Sequence, residues 1–590
     1  MIDPDRLALM KMKNKPEKLA PIFEQLRRHY QSSHAEMEEL DSLYQLEGGH
    51  VDMQLPEGVP MHIPATPANI VDGLIVQLPI DRPTVTLPSY TKSDQANSTK
   101  MQAWGQDRLR HIRESGEYNT FEHVKAHLMV RGAACNKIII DESRIPNPPD
   151  PSSPHLESEL KIFEERKASA EPFIVRPLDP LTVFPSPGNT KDLKFVLEHQ
   201  VRNISTMDEY TNWTDPVGRK MAEAYRPDRA GDPSRQVLWL EHWSAPLIID
   251  GEIVDEGWYT IEVDGEIVTQ VPNPYLLVPY VFDYSGMGMS HHDGDPRHQS
   301  IGILSKIKGE LNSEIRIKTA WDAQWQYHVF PTWLVRNNAK RAAAMLRKGP
   351  GRIIEWGPLG DAKPELSQTK PPDANMITFL SKIEGSMAKY VAPSLAGDDS
   401  SEFGILSSIR IGQQLKTIEP IWKNLNGMAG RTLNIMARMS HNRDLTFKVR
   451  SGSRENESTL SGDDFKRYDF AVDFERVDPA EDQRNLLIGQ SLLEKKQVTY
   501  LTFARKFAKT TIDDPEQEQE DLIVERIIDQ VVDGGHLIPA VLQGTQDPAE
   551  AAEGVLAGQG VPGASPVEQN AGPSASAAVR QAPPQGGGVV

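Results

Sequence analysis

The stretch Lys389–Gly430, KYVAPSLAGDDSSEFGILSSIRIGQQLKTIEPIWKNLNGMAG, decides how the rest of the chain is read. A helical pattern carrying Met376, Phe379, Leu380, Ile383, Met387 and Tyr390 stops at Pro393, which cannot donate to a helical ladder. A polar loop follows, with Gly397, Asp398, Asp399, Ser400, Ser401, Glu402, Phe403 and Gly404 and no basic residue. A longer helical pattern then puts Ile411, Leu415, Ile418, Trp422, Leu425 and Met436 on one stripe from about Ile405 to Ser440. That is roughly 50 Å of helix at ~1.5 Å per residue. Pro420 lies inside it, where the missing donor and the clash one turn back predict a kink, and Gly427 and Gly430 follow.

Working outward, Asp295 reads as a helix cap with Pro296 at the first helical position. Leu304, Ile307, Leu311 and Ile315, then Ile317, Trp321 and Trp325, recur at helical spacing and predict a helix over Arg297–His328. The segment 329–372 carries the strand-like pieces TWLV and GRIIEW around a short helical piece, AKRAAAML. Within it, Val329–Ile354 holds Arg336, Lys340, Arg341, Arg347, Lys348 and Arg352 and no acidic residue. The whole chain has Lys+Arg 64 against Asp+Glu 83, a net charge of −19, so this stretch inverts the local sign. It suits an acidic partner or passing DNA, with an ordinary solvated face as the alternative.

Further upstream, residues 17–46 read as a polar helix, and Thr66-Pro67 as a helix start with Thr66 as cap. Thr99–Asp141 reads as helix, turn, helix and a buried strand ending near Ile140. Residues 143–172 form a proline-rich, charged insertion around one short helix. From Phe173 to Phe282 the period becomes strand-like, with hairpin signals at Asp250-Gly251 and Asp264-Gly265. Downstream, DLTFKVR and YDFAVDFERV return to strands, and Asp478-Pro479 and Asp514-Pro515 open helices, the second stopping at Gly534. Beyond Gln543 the Gly, Ala, Pro, Ser and Gln composition predicts disorder. The fold class is α+β.

Several function classes are excluded. At 590 residues the chain can build several domains, yet no apolar run suits a membrane span and the N-terminus has no signal-peptide run. The single cysteine, Cys135, excludes an internal disulfide framework and a cysteine metal site, and the expectation is folding in a reducing cytoplasm. The acidic balance argues against a tight grip on nucleic acid. The sequence has no GxxxxGK[ST], no HExxH and no GxSxG, so no catalytic residue and no cofactor is expected. SHHDGDPRH offers His291, His292, Asp293, Asp295 and His298 as nitrogen and oxygen donors. Adjacent histidines do not converge easily from a regular element, so the stretch reads as a polar loop with Asp295 as cap and no metal is assigned. The alternative is a metal-dependent α+β enzyme using His291, Asp293 and His298. Asp398, Asp399 and Glu402 read as a solvated acidic loop.

From Pro272 onward the order of parts resembles the portal protein of tailed bacteriophages. VPNPYLLVPYVFDYSG, residues 271–286, is similar to the proline-bounded strand before that family's first stem helix, and FAVDFERVDPAEDQRNLLIGQSLLEKKQVTYLTFARKF, residues 470–507, to the strand and helix leading into its crown. VRPLDPLTVFPSPGN, residues 175–189, resembles a wing segment. The resemblance implies a portal-type fold: an N-terminal helical segment 1–60; an α/β wing, first part 61–290; a stem helix 291–328; a small α/β clip 329–372 carrying the basic residues; a second stem helix 373–392; a tunnel loop 393–404; a long kinked helix and return to the wing 405–476; a helical crown 477–543; and a disordered tail 544–590.

It further implies a homo-oligomeric ring of about twelve subunits at one capsid vertex, through which double-stranded DNA is packaged and ejected. Terminase, the major capsid and scaffolding proteins, and head-completion or tail adaptor proteins are the implied partners. Assembly in the host cytoplasm and residence in the virion follow. About twelve copies at −19 sum to roughly −230, a field that favours sliding over phosphate contact. A tunnel loop without basic residues implies steric gating. Another viral head–tail adaptor ring is a further alternative, although adaptors are usually much shorter.

Overall fold

The structure, a computed structural model, describes residues 14–47, 51–55, 59–76, 78, 80, 83–89, 92–115, 118–152, 155–188, 190–204, 216–226, 232, 234–249, 252–329, 332–335, 353–355, 365–367, 374–391, 404–450, 457–466, 469–474, 479–495, 497–507 and 522–523. The expected helix at Asp514-Pro515 and the tail from 544 lie outside the described residues. The architecture is mixed α and β, as the alternation of periods predicts.

The chain opens with α1 (Ala20–Tyr44), α2 (Thr66–Val76) and β1 (Pro83–Thr86). Then come α3 (Lys92–Glu114), α4 (Thr120–Val130) and β2 (Ala133–Ile140), the expected helix–turn–helix–strand. The proline-rich segment carries α5 (Leu156–Ser169). The strand-rich part follows with β3 (Phe173–Leu178), β4 (Val183–Pro185), β5 (Phe195–Asn203), α6 (Pro216–Ala224), β6 (Gln236–Ser244), β7 (Leu247–Ile249), β8 (Glu252–Asp255), β9 (Trp258–Val263), β10 (Glu266–Pro272) and β11 (Tyr280–Tyr284). The remainder is α7 (Lys308–Val329), β12 (Thr332–Val335), β13 (Ile353–Glu355), β14 (Glu365–Ser367), α8 (Ala374–Val391), α9 (Gly404–Asn442), β15 (Phe447–Arg450), β16 (Glu457–Leu460), β17 (Ala471–Phe474), α10 (Pro479–Glu494) and α11 (Tyr500–Phe507).

The largest sheet is antiparallel, in the order β10-β9-β6-β5-β4. Alternation along β6 sorts its two faces. Val237 and Trp239 join Ile261, Val263 and Val268 under Met221 of α6, while Leu240 joins Leu197 and Phe184 under Leu19, Phe23, Leu26 and Tyr30. The N-terminal helix is therefore part of the core; each such buried side chain contributes about 1.5–3 kcal/mol. Its first turn is fixed by Glu262, whose carboxylate accepts from the Leu19 and Ala20 amides at the positive end of the helix dipole. The β9–β10 hairpin turns at Asp264-Gly265 with φ of 49° and 88°, the left-handed pair such a turn requires. Asp250-Gly251 lies outside the described residues, but β7 and β8 on either side of it pair antiparallel.

A second sheet, β11-β2-β3, packs on the first through a buried ionic network. Lys137 of β2 sits 2.8 Å from Glu198 and 2.6 Å from Glu241, and Tyr280 donates to Glu198 while Trp243 donates to Glu241. Burial alone would pull the Lys137 ammonium down; the two carboxylates more than offset it and hold its pKa above the ordinary lysine value. Burial likewise pushes the Glu198 carboxyl up, but Lys137 and the donors Tyr280 and Gln200 hold it below the usual range.

The main core runs along α9, where Ile418, Ile421, Trp422, Leu425, Met428, Leu433, Met436 and Met439 are all buried. The helix is unbroken at Pro420. Gly430 is required by close approach: a Cβ there would lie 2.8 Å from the Phe470 carbonyl oxygen, at the entrance to β17. A Cβ on Gly427 would meet open space. β17 in turn pairs with β1, from Pro83↔Phe474 to Thr86↔Ala471.

Two expectations are corrected. The helix expected over Arg297–His328 begins only at Lys308, and Asp295 caps a single 3-10 turn, Pro296–His298, by accepting from the Arg297 amide at 2.9 Å. The cause is a backbone crossing. Ile303 donates to the Met129 carbonyl at 2.7 Å, and a Cβ on Gly302 would lie 2.1 Å from the Val130 oxygen. The chain at 301–303 is held against the end of α4 and cannot coil, so a short 3-10 turn at Leu304–Lys306 precedes α7. Thr66 lies within α2 rather than capping it; its hydroxyl donates to Glu314 at 2.9 Å, and the Ala65 carbonyl accepts from Asn69.

Candidate functional site

α7 and α8 leave the body together. The buried residues of α7, Leu311, Glu314, Ile315 and Thr319, all come before Ala320, and those of α8, Ile383 and Met387, lie in its second half. Lys318 faces Glu384 at 3.8 Å, while Trp321 and Trp325 share a cleft of about 520 Å³ with Leu380. That pairing sets the helices antiparallel. The base of the pair is braced by the 59–64 segment, where the His62 amide donates to Thr319 at 3.0 Å. Towards the far end, Trp325, Val329, Ile377 and Phe379 are about half exposed, from 49% to 55%. Between the two helices the chain forms a small sheet, β13-β12-β14, with Trp333 paired parallel to Ile353 and antiparallel to Leu366. Among the described residues no helix is long and apolar enough to cross a membrane.

The expected tunnel-loop residues Gly397, Asp398, Asp399, Ser400, Ser401, Glu402 and Phe403 lie outside the described residues; Gly404 is the first residue of α9. The basic residues Arg336, Lys340, Arg341, Arg347, Lys348 and Arg352 and the helical piece AKRAAAML also lie outside them.

The loop before α7 brings together His291, Asp293 and His298, the three donors the sequence offered as its alternative reading. Met289 donates to the His298 carbonyl at 3.0 Å, closing the loop, and a Cβ on Gly288 would lie 2.3 Å from that same oxygen. Inside the closure Gly294 has φ of 69°, and the Asp295 amide donates to Asp293 Oδ1 at 2.9 Å. Asp295 also accepts from Ser32 of α1 at 2.6 Å, tying the loop to the body. The result is a carboxylate between two imidazoles: His291 Nδ1 lies 3.0 Å from Asp293 Oδ1 and His298 Nε2 lies 3.6 Å from Asp293 Oδ2. The Asp295 amide, and then His291 and His298, hold the Asp293 carboxyl below the usual range. His292 lies tilted against His291, with ring centroids 4.1 Å apart. His291 and His298 also meet across the closed loop, ring centroids 4.4 Å apart. Gly288 and Gly294 around H-x-D-x₄-H were the available signal.

No protein-family profile matches the chain, and no curated protein matches it.

Proposed function

We propose that this chain is a viral portal protein, a subunit of a ring-shaped channel at one capsid vertex through which DNA enters and leaves, and that it has no catalytic centre of its own. The observation that supports this best is the antiparallel α7–α8 pair. It projects from an α+β body, carries a small sheet at its turn and leaves Trp325, Val329, Ile377 and Phe379 uncovered. Four large apolar side chains on a two-helix stalk are costly in water and are covered when copies stand side by side around an axis. In this reading the 329–372 segment is the clip, where basic residues meet the packaging motor or the emerging DNA. The 393–404 loop lines the channel, and α9 carries the chain back into the wing.

Native mass spectrometry tests the reading: a closed ring of about a dozen copies is expected. A stable monomer at micromolar concentration across low and high salt overturns it. The enzyme alternative has less support, since none of His291, Asp293 and His298 lines the 520 Å³ cleft and His291 and Asp293 are exposed.

A further inference from the structure

We propose that His291, Asp293 and His298 form a binding site for a first-row transition-metal dication of the zinc type. The inference stands apart from the ring reading, because the site is complete within one chain. One donor atom from each residue lies within 4.8 Å of the other two. Bonds of about 2.0–2.2 Å to such an ion place neighbouring donors roughly 3–3.5 Å apart. The 3.0 Å from His291 Nδ1 to Asp293 Oδ1 falls in that range, and the 3.6 Å from His298 Nε2 to Asp293 Oδ2 lies just beyond it. An ion bound there draws the three donor atoms, which lie within 4.8 Å of one another, closer together.

The donor set selects the ion class. Two imidazole nitrogens with one carboxylate suit zinc, nickel, cobalt or copper, whereas calcium and magnesium prefer all-oxygen cages. The loop is also braced before any ion arrives. The Met289–His298 backbone bond and the glycine at 288 close it, the Asp295 amide orients Asp293, and Ser32 anchors Asp295. A hydrogen bond to a ligating carboxylate keeps it in register, the role the Asp295 amide takes towards Asp293. The exposed side leaves the remaining coordination positions to water. Each imidazole binds through a nitrogen lone pair, so any proton on that nitrogen moves to the other ring nitrogen or to solvent, and binding weakens as the histidines protonate.

The test is isothermal titration of zinc chloride into the full chain, stripped with chelator and desalted, at pH 7.5. One high-affinity zinc per chain is expected. His291→Ala, His298→Ala and Asp293→Asn should each weaken it at least tenfold, and His292→Ala should leave it within twofold. Circular dichroism melting of each variant, unchanged from the parent, separates loss of the site from loss of the fold. Cobalt absorption of the parent, lost in His298→Ala, gives an independent readout. The inference is overturned if the parent retains no zinc, or if His291→Ala and His298→Ala bind zinc as the parent does.

Discussion

Lys137 sits buried between two sheets and against two carboxylates. Removing one member of a buried charge cluster leaves the others uncompensated, so Lys137→Met should destabilise the chain by about 3–5 kcal/mol in urea denaturation. Adding Glu198→Gln and Glu241→Gln should restore part of the loss; a single mutant within about 1 kcal/mol of the parent would show the charges reach water. Three histidines set the response to acid. Burial pushes His34, His127 and His242 down to about 4 from the ordinary 6.5. Between those values the unfolded chain holds more protons than the folded one. Stability is therefore fully present above about pH 6.5 and is lost as the pH falls through about 4. His242, buried beside Phe195 and shifted by burial alone, isolates the effect. His242→Phe should make the fall in Tm between pH 6.5 and 4.5 shallower, and an unchanged slope would count against the buried neutral imidazole.

At the scale of elements, the two glycines of α9 have opposite reasons. Gly430→Ala drives a Cβ against the Phe470 backbone and should cost about 1–3 kcal/mol while loosening the strand that follows. Gly427→Ala meets nothing and should stabilise by up to about 1 kcal/mol through helix propensity. Equal effects in thermal melts would dismiss the close-approach explanation. Much at this scale was legible in the sequence, because period and punctuation are local. α9 was expected from about Ile405 to Ser440 and runs Gly404–Asn442, and the Asp264-Gly265 hairpin lies where its turn chemistry puts it. The start of α7 was not legible. It is set by residues 129–132, far back in the chain, whose carbonyls hold Gly302 and Ile303 out of the helix. The donors of the candidate metal loop were visible in the sequence, whereas their convergence depends on backbone closure at Met289 and His298.

At the scale of the whole molecule the proposed ring would make the stalk a place where folding and assembly can be separated. Trp325 and Phe379 are 52% and 55% exposed in one chain, so Trp325→Asp with Phe379→Asp should leave the melting temperature of the isolated chain nearly unchanged. The same pair should abolish the ring in native mass spectrometry, and an intact ring would place the subunit contacts elsewhere. Shortening 397–404 belongs to the same scale. In the portal reading it should preserve rings while packaged DNA is no longer retained; a shortened-loop ring that fills capsids and keeps DNA like the parent removes the gate.

The pairing of β1 with β17 also has a consequence in time. A ribosome releases the chain from its N-terminus, so Pro83–Thr86 emerges long before its partner, Ala471–Phe474. At about 5–20 residues per second the interval is roughly 20–80 s. Throughout it β1 has no edge partner and the Phe470 ring that meets Trp104 of α3 has not been made. The nascent protein therefore spends that interval with an open strand edge and an unfinished core, the state in which wrong pairing with a neighbour on the same polysome competes with folding.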